Sequence, residues 1–193
     1  LVLYSAKAKT GKSMLLMNQA INLSERYNLN ILYIDSELST KSFFLRLLSY
    51  FSNIPIKLLK SGRFDLISEN EKRKTAERDI REAQNKIKSL KIKHIYCPIF
   101  EKDKLYSICK KLHKQNKLDV LIFDYFKSMS IKDASDASAV YLGMGKNIDF
   151  IKNEICGDMS LIGIAACQSS KTGEVADSYN LERSCSTLVM IEA

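Results

Sequence analysis

The stretch Ser5-Ala6-Lys7-Ala8-Lys9-Thr10-Gly11-Lys12-Ser13 constrains this chain more than any other part of it. It follows a short apolar run, Leu1 to Tyr4, and leads into an amphipathic segment, Met14 to Tyr27. Strand, loop of small residues, Gly-Lys-Ser, helix is how a phosphate-binding loop is built. Backbone N–H groups and the dipole at a helix N-terminus favour anions there. In such a loop Lys12 reaches the outer phosphates and Ser13 offers its hydroxyl to Mg²⁺. The pattern G-x-x-x-x-G-K-[ST] puts its first glycine at position 6, where this chain has Ala6. Read alone, the stretch is also compatible with a chance Gly-Lys-Ser at a helix start, so its meaning depends on the rest of the chain.

The rest reads as alternating strands and helices. Asn30 to Asp35 is a buried strand, followed by Ser36-Glu37-Leu38-Ser39-Thr40 and a helix over Lys41 to Phe51 that Ser39 or Thr40 can cap. Glu37 therefore stands at the carboxyl end of a strand, the edge where open α/β sheets bind ligands. The segment from Asn53 to Leu66 is expected to turn at Pro55 and Ser61-Gly62, before a long charged surface helix over Glu69 to Leu90. Ile92 to Ile99 reads as a third strand, and Asp103 to Lys114 as a helix with Leu105, Ile108, Cys109 and Leu112 on one face. Asp119 to Tyr125 is a fourth strand, apolar until it ends in Asp124, the shape of an element that orders a Mg²⁺ shell. Lys127 to Ser138 reads as a loop, Ala139 to Ile155 as a helix, and Ser160 to Gln168 as a fifth strand ending in an amide. A second polar loop, Ser169 to Asn180, precedes a sixth strand, Thr187 to Ile191. Six strands joined by crossovers predict an α/β fold: a mostly parallel, twisted sheet with helices on both faces.

Composition narrows the function classes. With 193 residues and 46% hydrophobic residues the chain can bury the core of one domain. No apolar run approaches the roughly 18 residues of a membrane-spanning helix, and no signal peptide is evident, which points to the cytosol or an organelle matrix. Five scattered cysteines without C-x-x-C spacing argue against a zinc site or a disulfide framework; Cys97 and Cys167 are expected as small core residues within strands. A net charge of +8 fits a polyanionic partner such as nucleic acid, and equally a lysine-rich surface. The chain opens without Met and closes on Ile191-Glu192-Ala193, so the expectation is a single domain, 1–193, cut from a longer protein at both ends.

Taken in order, Ala6 to Ser13, Ser36-Glu37, Ile122-Phe123-Asp124-Tyr125 and Ala166-Cys167-Gln168 resemble the ATPase domain of DnaB-type replicative helicases, phage-type members in particular, within the RecA-like group of P-loop NTPases. That family often has Ala at the first loop position. Ile34-Asp35-Ser36-Glu37-Leu38-Ser39, with Arg46 behind it, looks like its acid-bearing second motif, and Asp124-Tyr125 like its Asp-Tyr strand end. The resemblance implies ATP and Mg²⁺ as cofactors, with Ala6, Lys7, Ala8, Lys9, Thr10, Gly11, Lys12, Ser13, Met14 and Arg46 around the nucleotide. It implies Ser13 and Asp124 at the metal, Glu37 as the base that activates water, Lys12 on the phosphates and Gln168 as a γ-phosphate sensor. It further implies single-stranded DNA as a partner, with Lys127, Lys132, Lys171, Asp177 and Ser178 as candidate contacts; a homo-hexamer; a primase and a helicase loader; and the cytoplasm of a bacterial or phage-infected cell. The family's arginine finger has no counterpart in this chain, so the chain alone is expected to hydrolyse ATP poorly. Two other readings stay open: another RecA-like ATPase, such as a recombinase or ring ATPase, and a non-enzymatic nucleotide-binding loading module.

Overall fold

In the computed structural model, residues 1–64, 70–99, 101–126, 146–168 and 185–191 are described. The strands are β1 (Val2–Ala6), β2 (Ile31–Asp35), β3 (Ile92–Tyr96), β4 (Val120–Phe126), β5 (Ile162–Gln168) and β6 (Thr187–Ile191). The α-helices are α1 (Lys12–Tyr27), α2 (Thr40–Ser52), α3 (Ile56–Ser61), α4 (Asn70–Ser89) and α5 (Lys102–Lys114). The strands form one six-stranded sheet in the order β3-β2-β4-β5-β1-β6, every pair parallel. All carboxyl ends thus lie along one edge, as a sheet built from crossovers requires. The chain divides into two compact units, Leu1–Glu37 with Ile92–Ala193, and Leu38–Lys91.

Within the first unit, strand alternation sends side chains to two different layers. Leu3, Leu32, Ile34, Leu121, Phe123, Ala165 and Cys167 point to one face, where they share a buried cluster with Leu105, Cys109 and Leu112 of α5. Phe150, Ile151, Ile155 and Cys156 close the same cluster. The alternate residues face α1, whose Leu16, Met17, Ala20 and Ile21 are buried. Gly163 sits where a Cβ would come within 2.8 Å of both Cys156 Sγ and Leu1 Cδ1, so a side chain there has no room. In the second unit α2 packs with α3 and α4, burying Phe43, Leu47, Leu48, Ala76 and Ala83.

Three local expectations change. The segment read as a turn from Asn53 to Leu66 contains α3, bracketed by Pro55 at its start and by Gly62 (φ +67°), whose N–H donates to Leu58 O at 2.8 Å. Proline before a first turn and glycine after a last one are helix ends as well as turn residues. The third strand stops at Tyr96, not Ile99: Pro98 has no N–H to continue a ladder. Cys97 therefore lies just past β3 and is half-buried, while Cys167 is buried in β5 as expected. The helix expected to end at Ile155 is α-helical at residues 146–149 and then widens into a π-helix, Phe150–Gly157. The N–H of Asp158 donates to Asn153 O at 3.2 Å, the i→i+5 spacing of that wider turn. The remainder of that expected helix, 139–145, lies outside the described residues.

Candidate active site

β1 delivers the loop and α1 receives it. Between them Lys9 (φ 64°) and Gly11 (φ 94°) adopt left-handed conformations that reverse the chain, which is why a glycine precedes Lys12. The Thr10 hydroxyl donates to Lys7 O at 2.8 Å and tightens the loop. Lys12 is 8% exposed, and its ammonium donates to Ala6 O at 2.7 Å and Lys7 O at 2.9 Å. Burial lowers its pKa; the neighbouring Cys167, Asp124 and Glu37 act in the opposite direction by charge.

The carboxylate of Asp124, buried at the end of β4, is held from two elements. The Ser13 hydroxyl donates to Oδ1 at 3.1 Å, and the buried Tyr33 phenol on β2 donates to Oδ2 at 2.7 Å. β2 and β4 are in parallel register with Asp35 opposite Asp124, so two buried acids lie side by side. Asp35 Oδ1 accepts the Glu37 N–H at 2.8 Å, and its Oδ2 lies 3.7 Å from His94 Nε2 on β3. The His94 ring stacks on Tyr33 at 5.9 Å between centroids. The strand ends are also tied by backbone: Ser36 N–H donates to Asp124 O at 2.8 Å and Ser36 Oγ to Tyr125 O at 3.1 Å. Across the edge, the Tyr125 phenol donates to Glu37 Oε1 at 3.2 Å, and Lys12 Nζ lies 6.0 Å from the centre of its ring. The Tyr125 pKa is pushed up to about 12, first by burial, then by the charge and hydrogen bond of Glu37, then by Asp124.

A buried ammonium, a hydroxyl on a buried carboxylate and an exposed glutamate thus converge on one sheet edge beneath a helix N-terminus. A family model described as "DnaB-like helicase C terminal domain" matches residues 1–146. The chain belongs to that family. It is accordingly the ATP-dependent motor domain of a DnaB-like helicase. Among solved structures, that of a helicase ATPase domain aligns with a TM-score of 0.83 at 17% identity, covering 100% of this chain and 69% of that one. "The Structure Of A DnaB-Like Replicative Helicase And Its Interactions With Primase" aligns with a TM-score of 0.85 at 17% identity, covering 100% of this chain and 47% of that one. At such identity these two matches speak to the fold, a RecA-like helicase ATPase fold. No curated protein sequence matches the chain.

In this DnaB-like domain the sheet edge gathers Ala6 to Ser13, Glu37 and Asp124, and Met14 is exposed on the first turn of α1. Gln168 ends β5 directly opposite Ala6 of β1 and is exposed. Arg46 lies half-buried on α2, in the Leu38–Lys91 unit. Lys127, Lys132, Lys171, Asp177 and Ser178 all lie outside the described residues. Sequence reasoning missed Tyr33, Asp35 and His94 as part of the site. The signal for the first two was period two: Tyr33 and Asp35 stand two apart in a strand otherwise apolar, and buried polar side chains need partners.

Proposed function

We propose that this domain hydrolyses ATP with Mg²⁺ and uses the cycle to move a homo-hexameric DnaB-like helicase along single-stranded DNA and so unwind duplex. One observation carries the reading: Ser13 and Asp124, 111 positions apart in the chain, meet at 3.1 Å beside Lys12 and Glu37. An alcohol and a carboxylate oxygen side by side are hard donors of the kind Mg²⁺ takes, so the residues present fit that ion. Mg²⁺, when bound with nucleotide, neutralises charge on the β- and γ-phosphates.

In this reading the loop N–H groups from Ala6 to Met14 hold the phosphates. Lys12 exchanges its two backbone carbonyls for phosphate oxygens, a small movement of an ammonium already aimed at the loop. Ser13 and Asp124 hold Mg²⁺. Glu37 orients the attacking water and takes its proton; a positioned base of this kind contributes about 10²–10⁴-fold. Tyr125 holds the Glu37 carboxylate by one oxygen and leaves the other for water. Gln168, beside Ala6, senses the γ-phosphate and passes its state to the chain beyond β5. Arg46 contributes to nucleotide binding, and Lys127, Lys132, Lys171, Asp177 and Ser178 are the proposed DNA contacts. A primase, a loader and a cytoplasmic setting belong to the same proposal; among the described residues no helix is long and apolar enough to cross a membrane.

The test is ATP hydrolysis and strand separation by the full-length protein with and without single-stranded DNA. DNA-stimulated turnover together with unwinding is expected. Turnover indifferent to DNA would favour another RecA-like ATPase, and nucleotide binding without any turnover a loading module.

A further inference from the structure

We infer that Tyr33 is a positioning residue for the Mg²⁺ shell, acting through Asp124. The inference rests on the reading above that Ser13 and Asp124 hold the ion.

A carboxylate at the end of an apolar strand has two oxygens and free rotation about its last bond. It presents a defined oxygen to a metal only if the other is held. Here Oδ1 faces the Ser13 hydroxyl at 3.1 Å, and Oδ2 accepts the Tyr33 phenol at 2.7 Å. The phenol is itself immobile. Tyr33 is 1% exposed, sits at the centre of β2, and has its ring stacked on His94 of the neighbouring strand. The register explains the reach: Tyr33 pairs with Ile122 and Asp35 with Asp124, so a tyrosine two residues before Asp35 lies on the same face as Asp124 and angles along the sheet toward it. Partners that orient a metal-ligating group from behind are worth about 10–100-fold in metal affinity.

The same strand delivers Glu37. Tyr33 holds Asp124, while Asp35, two residues on, accepts the Glu37 N–H at 2.8 Å. One strand therefore positions both the proposed metal ligand and the proposed base. Shifting β2 by one residue would release both contacts at once, because it would turn Tyr33 and Asp35 to the opposite face.

The experiment titrates Mg²⁺ against the full-length protein with the fluorescent nucleotide mant-ADP, with a parallel binding curve in EDTA and a thermal unfolding curve of each variant. Tyr33→Phe keeps the ring and removes only the donor. The expected result is a Mg²⁺ midpoint raised about tenfold, with nucleotide affinity in EDTA equal to wild type. A general packing defect would weaken both curves equally, and that result overturns the inference, as does a wild-type Mg²⁺ midpoint. Asp124→Asn separates the inference from the reading beneath it. A shifted midpoint in Asp124→Asn with an unshifted one in Tyr33→Phe sinks Tyr33 alone, whereas an unshifted Asp124→Asn sinks the metal reading and this inference with it. If Tyr33→Phe does not fold, the double variant Tyr33→Phe/Asp124→Asn, which has no charge at position 124, is compared with Asp124→Asn. Equal midpoints are expected, since the tyrosine acts only through the carboxylate; a further shift contradicts that route.

Discussion

The two faces of β2 and β4 carry opposite chemistry. On the face toward α5, Leu32, Ile34, Leu121 and Phe123 are all buried and all apolar. On the face toward α1, Tyr33, Asp35 and Asp124 are just as buried, yet each is hydrogen-bonded. Burial is the same and its cause differs. The first face is held by apolar area removed from water, at roughly 25 cal/mol per Å². The second would be unstable without its partners, because an unpartnered buried polar group costs about 1–3 kcal/mol and a charge more. One pair of strands thus serves as core on one side and as the chassis of the candidate site on the other, so substitutions on the two faces should separate stability from turnover.

The largest expected effect on the site side is that of Lys12→Ala. Removing the ammonium aimed at the loop should lower ATP turnover by about 10²–10³-fold, as loss of one charge-stabilising donor does elsewhere, with little change in a urea unfolding curve. Phe123→Ala on the other face should do the reverse. It should cost about 3–5 kcal/mol of stability in the same urea assay, and turnover per folded molecule should remain near wild type. If Phe123→Ala cut turnover selectively, the division between faces would be wrong.

A pH experiment sharpens the site side. Tyr125 has its pKa raised from 10.0 to about 12 in the fold. Between those values the folded chain keeps a proton that the unfolded chain has released, so this contribution is intact below about pH 10 and is lost as pH rises toward 12. Wild type should lose more stability over that window than Tyr125→Phe, measured by denaturant midpoints. The same variant should slow turnover a few-fold at neutral pH, since Glu37 loses its phenol donor. Core thiols offer a third contrast. Burial pushes Cys109 up to about 12 and Cys156 up to about 11, so both should resist a thiol reagent until the unit opens. The smallest effect belongs to the surface: Arg78 of α4 pairs with Asp79 and Glu82 in the open, and Arg78→Ala should stay within about 0.5 kcal/mol of wild type.

What could be read from the sequence depended on whether a feature lies within one stretch. Lys12 and Ser13 announce themselves by spacing, Asp124 by ending an apolar strand, and Glu37 by following a buried one; all of them arrive on one edge because the sheet is parallel. The Tyr33–Asp124 bond could not be read in that way. It joins residues 91 positions apart and depends on β2 lying next to β4 with Asp35 opposite Asp124, a register set by tertiary packing. His94 was invisible for the same reason, being brought to Asp35 by the pairing of β2 with β3. The missed helix α3 and the early end of β3 have a local cause: Pro55, Gly62 and Pro98 signal that an element stops or starts without saying which. The π-turn at Phe150 carries no sequence signal that we can identify.

The most direct test of the central claim is single-turnover ATP hydrolysis by full-length Glu37→Gln, with nucleotide affinity measured alongside. Glu37→Gln keeps the size and the contact to Tyr125 while removing the base. Nucleotide binding close to wild type and turnover lowered about 10²–10⁴-fold are expected if Glu37 activates the water. Turnover at the wild-type rate would contradict that role.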